Sequence, residues 1–233
     1  MFRLICLLIG YAFGCVQTAY IIGRTMGKID IRKEGSGNAG TTNVTRVLGA
    51  KAGAIVFLTD VFKAVAAYVL CSLIFKGQGS FLPSAMELAM RDSSVTVCFP
   101  VLGNGYLPGL YAGIGVICGH NFPFYMKFKG GKGIASTVGV TLSFDLLGGF
   151  IAGLIGLMGV IVTKYISVTS LILTALFPVT MLVRRGRIEE HFTETLVLGC
   201  VVTALAWYQH RGNIMRLIKG TENVFSIGKG KKK

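Results

Sequence analysis

Six runs of apolar residues, at 4–22, 52–75, 107–125, 146–163, 168–183 and 192–208, constrain this chain more than any other feature. Each is near the roughly 20 residues that an α-helix needs to cross a hydrocarbon core, the last being slightly short. With 52% hydrophobic residues, 15% charged residues and a mean hydropathy of +0.65, the 233-residue chain lies outside the range of soluble domains. It reads as an all-α, polytopic membrane protein forming one domain over residues 1–233. The first run has the positive start of a secretory signal in Arg3, but no small-x-small cleavage pattern follows it, so it is read as a retained helix.

The 32 glycines recur as Gly10/Gly14, Gly23/Gly27, Gly109/Gly113, Gly115/Gly119 and Gly149/Gly153, a spacing that lets helices approach closely in lipid. Six cysteines sit in or beside apolar segments without paired spacing, which supports neither disulfides nor a zinc site. The net charge of +14 is spread through the loops between spans and forms no basic stripe interleaved with aromatics. Anionic lipid and a phosphorylated substrate are therefore the expected partners, and nucleic acid is not.

Loop charge also sets the expected orientation. Lys28, Arg32, Lys33, Arg46 and Lys51 mark the first loop as cytoplasmic, residues 127–132 mark a second, and residues 229–233 mark the C-terminus. With the N-terminus outside, six crossings would leave residues 210–222 on the wrong side. A seventh is required, and its candidate is a short helix from Gly133 to about Phe144, a turn at Asp145 and a full return span. Arg184, Arg185 and Arg187 then fall outside, against the positive-inside tendency. Residues 76–106 read as an external loop insertion and residues 223–233 as a basic cytoplasmic tail.

The convergent polar chemistry is confined to three blocks at the margins of these spans. In 36–46 (SGNAGTTNVTR), glycines free the backbone while Ser36, Asn38, Thr42, Asn43 and Arg46 offer donors, a combination that can wrap an anion. In 128–135 (FKGGKGIA), Lys129, Gly130, Gly131, Lys132 and Gly133 bring lysines and small residues to a helix start, where N–H groups and the dipole favour phosphate. The GxxxxGK[ST] spacing of a nucleotide loop is absent. In 210–222 (HRGNIMRLIKGTE), His210, Asn213 and Arg216 follow at intervals of three and share a helix face. His210 has the chemistry to accept a proton or to bind a hydroxyl.

Plainer readings compete with these: a capped Asn-rich turn for the first block, a flexible basic loop for the second, an interfacial anchor for His210. Asp60 and Lys63, one turn apart, read as a buried ion pair supporting the site. His120, with Gly119, Asn121, Phe122 and Pro123, reads as part of a helix-end cap, and Ser167 and Ser170 as caps or substrate donors.

Together the blocks resemble the bacterial membrane glycerol-3-phosphate acyltransferases that use acyl-phosphate as donor, the PlsY family. The resemblance rests on Ser36, Gly37, Asn38, Gly40, Thr42, Asn43, Arg46 and Gly49, then Gly119, His120, Pro123 and residues 128–133, then His210, Asn213, Arg216, Leu217 and Glu222. It covers nearly all the chain except residues 76–106. Thr41 stands where the family commonly has Ala, Gln209 where a basic residue often precedes the histidine, and the 76–106 region is longer than usual.

The resemblance implies seven helices in a bacterial inner membrane with cytoplasmic motifs, and acyl transfer from acyl-phosphate to the 1-hydroxyl of glycerol 3-phosphate in phospholipid biosynthesis. It implies no cofactor or metal, and a functional link to the enzyme that makes acyl-phosphate from acyl carrier protein. It assigns Ser36, Arg46, Lys132, Ser167, His210 and Asn213 to the acceptor and Thr42 with the backbone of Gly130, Gly131 and Gly133 to the donor phosphate, and its third motif adds Glu222 as structural support. Two rivals have different signatures: a phosphate transporter would show paired repeats, which are absent here, and a scaffold would leave the three blocks without purpose.

Overall fold

The computed structural model describes residues 1–76, 78, 105–183 and 191–225, and every regular element among them is helical. Nearly all of the expected external loop, Arg184, Arg185 and Arg187 with the glutamates that follow, Cys98, and the basic tail beyond Phe225 lie outside the described residues. The helices are α1 (Phe2–Gly14), α2 (Thr18–Thr25), α3 (Thr41–Leu48), α4 (Ala50–Ile74), α5 (Tyr106–Asn121), α6 (Ile134–Phe144), α7 (Leu146–Thr163), α8 (Ile166–Val183), α9 (Phe192–Gln209) and α10 (Arg211–Ile218). Single 3-10 turns occur at Ile31–Lys33 and Phe124–Met126.

By length and apolar composition, four stretches among the described residues suit a bilayer: Phe2–Thr25, α4, α7 and α8. This is fewer than the six apolar runs of the sequence, for identifiable reasons. The run at 107–125 ends as helix at Asn121, because Pro123 disfavours helical backbone at Phe122, which takes φ −132° and ψ 57°. Helix α9 opens on Thr193, Glu194 and Thr195, which dilute its hydropathy. Glu194 is nonetheless matched: Arg3 donates two hydrogen bonds to it at 2.6 and 2.8 Å, and the Tyr111 hydroxyl donates a third at 2.6 Å, tying α9 to α1 and α5.

The first stretch is interrupted between α1 and α2. A break inside lipid requires partners for the freed carbonyls. Buried Gln17 donates to Gly14 O at 3.3 Å, and the Lys63 ammonium donates to Val16 O at 2.8 Å. Helices α1 and α5 lie backbone to backbone, since a Cβ at Gly10 would collide with the Ala112 carbonyl and one at Gly115 with the Leu7 carbonyl. The small-residue spacing is thus used as expected here, whereas a Cβ at Gly153 would meet nothing within 4 Å.

Helix α6 has 11 residues, too few to span alone, and packs against α4, α5 and α7. It ends at Asp145, whose carboxylate accepts from Gly148 N at 3.1 Å and caps α7, so the expected short helix, turn and return helix are present. Phe144 packs edge to face with Tyr106 and Phe177, each at 6.0 Å between ring centroids, closing the core between α5, α6 and α8. Leu147, Phe150, Leu154, Leu157 and Ile161 leave an exposed apolar face along α7 that suits lipid.

Candidate active site

At one end of the bundle the α2–α3 loop, the α5–α6 loop, the start of α8 and the α9–α10 junction enclose a cavity of about 840 Å³. Every site residue expected from sequence lines it except Lys63.

The first block is shaped by Asn43. Its side-chain oxygen accepts from Ser36 N at 2.8 Å, and its nitrogen donates to Ile31 O at 3.1 Å and Glu34 O at 3.0 Å. Asn43, expected to bind substrate, therefore spends its amide on holding the loop. The loop feeds α3, where Thr41 and Thr42 stand in the first turn, whose N–H groups have no acceptor within the helix. Arg46, one turn on, lines the cavity and has no ion-pair partner among the described residues.

The second block crosses the end of α5. Gly130 N–H donates to Asn121 O and Gly131 N–H to His120 O, both at 3.0 Å. These two N–H groups, expected to receive the donor phosphate, are thus committed to the backbone of α5. Gly131 has no room for a side chain, because a Cβ would strike His120 Nε2 and lie 2.7 Å from Ala39 O. The free donors lie one step further along: Gly133, with φ of 76°, caps α6, and the first N–H groups of that helix open beside the cavity.

Beneath this crossing lies a buried cluster. Lys63 Nζ sits 2.7 Å from Asp60 Oδ1 and 3.0 Å from His120 Nδ1, so the expected ion pair is present and extends to His120. His120 is more than a helix-end cap: its ring is the surface on which Gly131 rests.

The third block forms a relay of side chains. Lys132 donates to Asn213 Oδ1, Asn213 Nδ2 donates to Glu222 Oε1 at 2.6 Å, and Arg216 Nε donates to Glu222 Oε2 at 2.8 Å. Burial, with Arg216 nearby, pushes the Lys132 ammonium down to about 8. His210 is pushed down to about 4, by burial first and by Lys132 second. Its Nδ1 lies 2.8 Å from Ala206 O. A carbonyl only accepts, so Nδ1 carries the proton and Nε2 keeps its lone pair. Ser167, buried at the start of α8, has a hydroxyl with no partner among the described residues, whereas Ser170 donates to Ile166 O at 2.8 Å.

Two cavity residues escaped the sequence reading. Asn121 passed as part of a helix-end cap and Thr41 as a departure from the family pattern, yet both carry buried polar atoms without partners among the described residues. Their signal was position: each is the polar residue at a helix end that flanks a motif.

A polytopic helical bundle with a cationic cavity at one helix-loop end is the build of a membrane enzyme acting on a phosphorylated substrate. Residues 4–220 match the sequence model of the family described as glycerol-3-phosphate acyltransferase. The glycerol-3-phosphate acyltransferase of Thermoanaerobacter pseudethanolicus is 38% identical over 223 residues, covering 96% of each chain. That of Shouchella clausii is 37% identical over 216 residues, covering 93% of this chain and 92% of the relative. The crystal structure of PlsY, an integral membrane glycerol 3-phosphate acyltransferase, matches in its glycerol 3-phosphate form with a TM-score of 0.73 and 27% identity, over 96% of both chains. Its lysophosphatidic acid form matches with a TM-score of 0.69. The chain belongs to the glycerol-3-phosphate acyltransferase family, and it is an acyltransferase.

Proposed function

We propose that this protein transfers a fatty acyl group from acyl-phosphate to the sn-1 hydroxyl of glycerol 3-phosphate, yielding lysophosphatidic acid and inorganic phosphate. The observation that carries this reading is the convergence of all three polar blocks on one cavity, with Arg46 free of any ion pair among the described residues. Arg46 and Lys132, with Ser36, Ser167 and Asn213, form the acceptor's phosphate and glycerol site. Thr42 and the first turn of α6 at Gly133 form the donor phosphate site. Phe57 lines the cavity and is 38% exposed on α4, which offers the acyl chain a route to lipid.

The acceptor oxygen attacks the acyl carbon, the carbon–oxygen bond to phosphate breaks, and an ester forms. A mixed anhydride has a good leaving group, so orientation and charge neutralisation supply the catalysis and no covalent nucleophile is required. His210 Nε2 accepts the hydroxyl's hydrogen bond and fixes its direction. A histidine pushed down to about 4 holds a proton poorly at neutral pH, so the departing phosphate takes it. Acyl-phosphate is favoured over acyl-CoA because none of the histidines is followed five residues later by aspartate, the signature of the other glycerolipid acyltransferase class. Seven crossings, an outside N-terminus and a cytoplasmic cavity complete the reading, with donor supplied by an enzyme that makes acyl-phosphate from acyl carrier protein.

The test is purified protein in proteoliposomes with labelled glycerol 3-phosphate and either donor. Label in lysophosphatidic acid with acyl-phosphate alone supports the reading. Product with acyl-CoA alone overturns the donor, and label passing into the lumen unchanged points to a transporter.

A further inference from the structure

We propose that Asn121 is a specificity-determining residue that binds the second, non-reacting hydroxyl of the acceptor; this rests on the acyl-transfer reading above. Asn121 ends α5, is 1% exposed and lines the cavity. Among the described residues neither Oδ1 nor Nδ2 has a hydrogen-bond partner. Burying an amide in that condition is costly, and an apolar side chain of similar size would avoid the cost.

The neighbouring amides are already committed. Of the buried asparagines on the cavity wall, Asn43 holds the first loop and Asn213 bridges Lys132 to Glu222. Half-buried Gln209 donates to Gly131 O at 3.5 Å. Asn121 is left with an acceptor and a donor side by side.

That pairing selects the ligand. A phosphate dianion offers acceptors only, so it would serve Nδ2 and repel Oδ1. A hydroxyl both donates and accepts. The acceptor has two hydroxyls, and His210 Nε2 takes the reacting one. Position agrees, since a Cβ at Gly133 would lie 2.8 Å from Asn121 Oδ1, placing this amide against the helix start assigned to the donor phosphate. A hydroxyl held there keeps the adjacent carbon, and the reacting oxygen on it, turned toward the donor.

The experiment compares kcat/KM for glycerol 3-phosphate and for 3-hydroxypropyl phosphate, which keeps the reacting hydroxyl and lacks the second. Wild type is expected to prefer glycerol 3-phosphate by on the order of 10- to 100-fold, the size set by leaving a buried polar group unmet. Asn121→Leu is expected to compress that preference to within about threefold, chiefly by losing rate with glycerol 3-phosphate. A purely structural role would lower both substrates together and leave the ratio unchanged, and that result overturns the proposal. Should Asn121→Leu fail to fold, Asn121→Ala carries the same comparison. The wild type alone is also decisive, because equal kcat/KM for the two compounds rules out a residue reading the second hydroxyl. Wild type inactive on both, though folded, contradicts the acyl-transfer reading itself.

Discussion

Lys132 and Asn213, 81 positions apart in the chain, are hydrogen-bonded side chain to side chain at the cavity, and this contact joins the second polar block to the third. Asn213 is fixed in turn by Glu222, so one carboxylate sets the direction of an amide and the amide sets that of an ammonium. The lysine is thereby held in place before substrate arrives.

Lys132→Ala is expected to lower kcat/KM for the acceptor by about 10²- to 10³-fold, the size typical of losing one preorganised charge-stabilising donor. Glu222→Gln should cost about tenfold. The double variant Asn213→Ala with Glu222→Gln should be no worse than Asn213→Ala alone, because the two act through one network. Steady-state kinetics decide it, and additive losses would show that Glu222 acts elsewhere.

With Lys132 at about 8, the charge that attracts the acceptor's phosphate is present below that pH and is lost above it. The KM for glycerol 3-phosphate should rise above pH 8, by about tenfold per unit once the lysine is largely neutral. His210 at about 4 stays neutral from pH 5.5 to 7, so after correction for the substrate's own ionisation near 6 no further step is expected there. A step near 6.5 that vanishes in His210→Ala would make His210 a titrating base. The sign for stability is that of a carboxylate with a depressed pKa: unfolded His210 binds a proton below 6.5 that the folded site refuses until about 4. Stability should therefore fall as pH drops through that window.

Removing one member of the buried Asp60–Lys63 pair leaves the other charge without its partner. Lys63→Met should destabilise by ~3–5 kcal/mol, and adding Asp60→Leu should recover part of the loss. Thermal unfolding in detergent measures both, and a double variant weaker than the single would show that the pair contributes net stability.

Gly131→Ala tests the crossing of the second block over His120. The added methyl has no space between the His120 ring and the Ala39 carbonyl, so the loop must shift and Lys132 with it. Activity is expected to fall by more than tenfold with the helices intact by circular dichroism. Near-normal activity would mean that the loop is looser than its packing.

The apolar runs made the bundle legible, because hydropathy over helical lengths is a direct reading of lipid exposure. Parity of charged loops found the short α6, which hydropathy alone could not assign. What the sequence hid depended on tertiary partners. Nothing in SGNAGTTN tells that Asn43 turns back onto Ile31 and Glu34, or that the Gly130 and Gly131 N–H groups are taken by α5. Asn121 was visible as a residue, but its unmet amide appears only once the surrounding chain is folded.

The most direct measurement is formation of labelled lysophosphatidic acid from glycerol 3-phosphate and acyl-phosphate by purified wild type and by Arg46→Ala, with folding of both checked by thermal melting. Product from wild type, reduced by at least about 10²-fold in the variant, is the predicted result, because Arg46 is a cation lining the cavity with no carboxylate partner among the described residues. Equal turnover by a folded Arg46→Ala protein would contradict the account, since the cavity could not then be where the acceptor's phosphate is held.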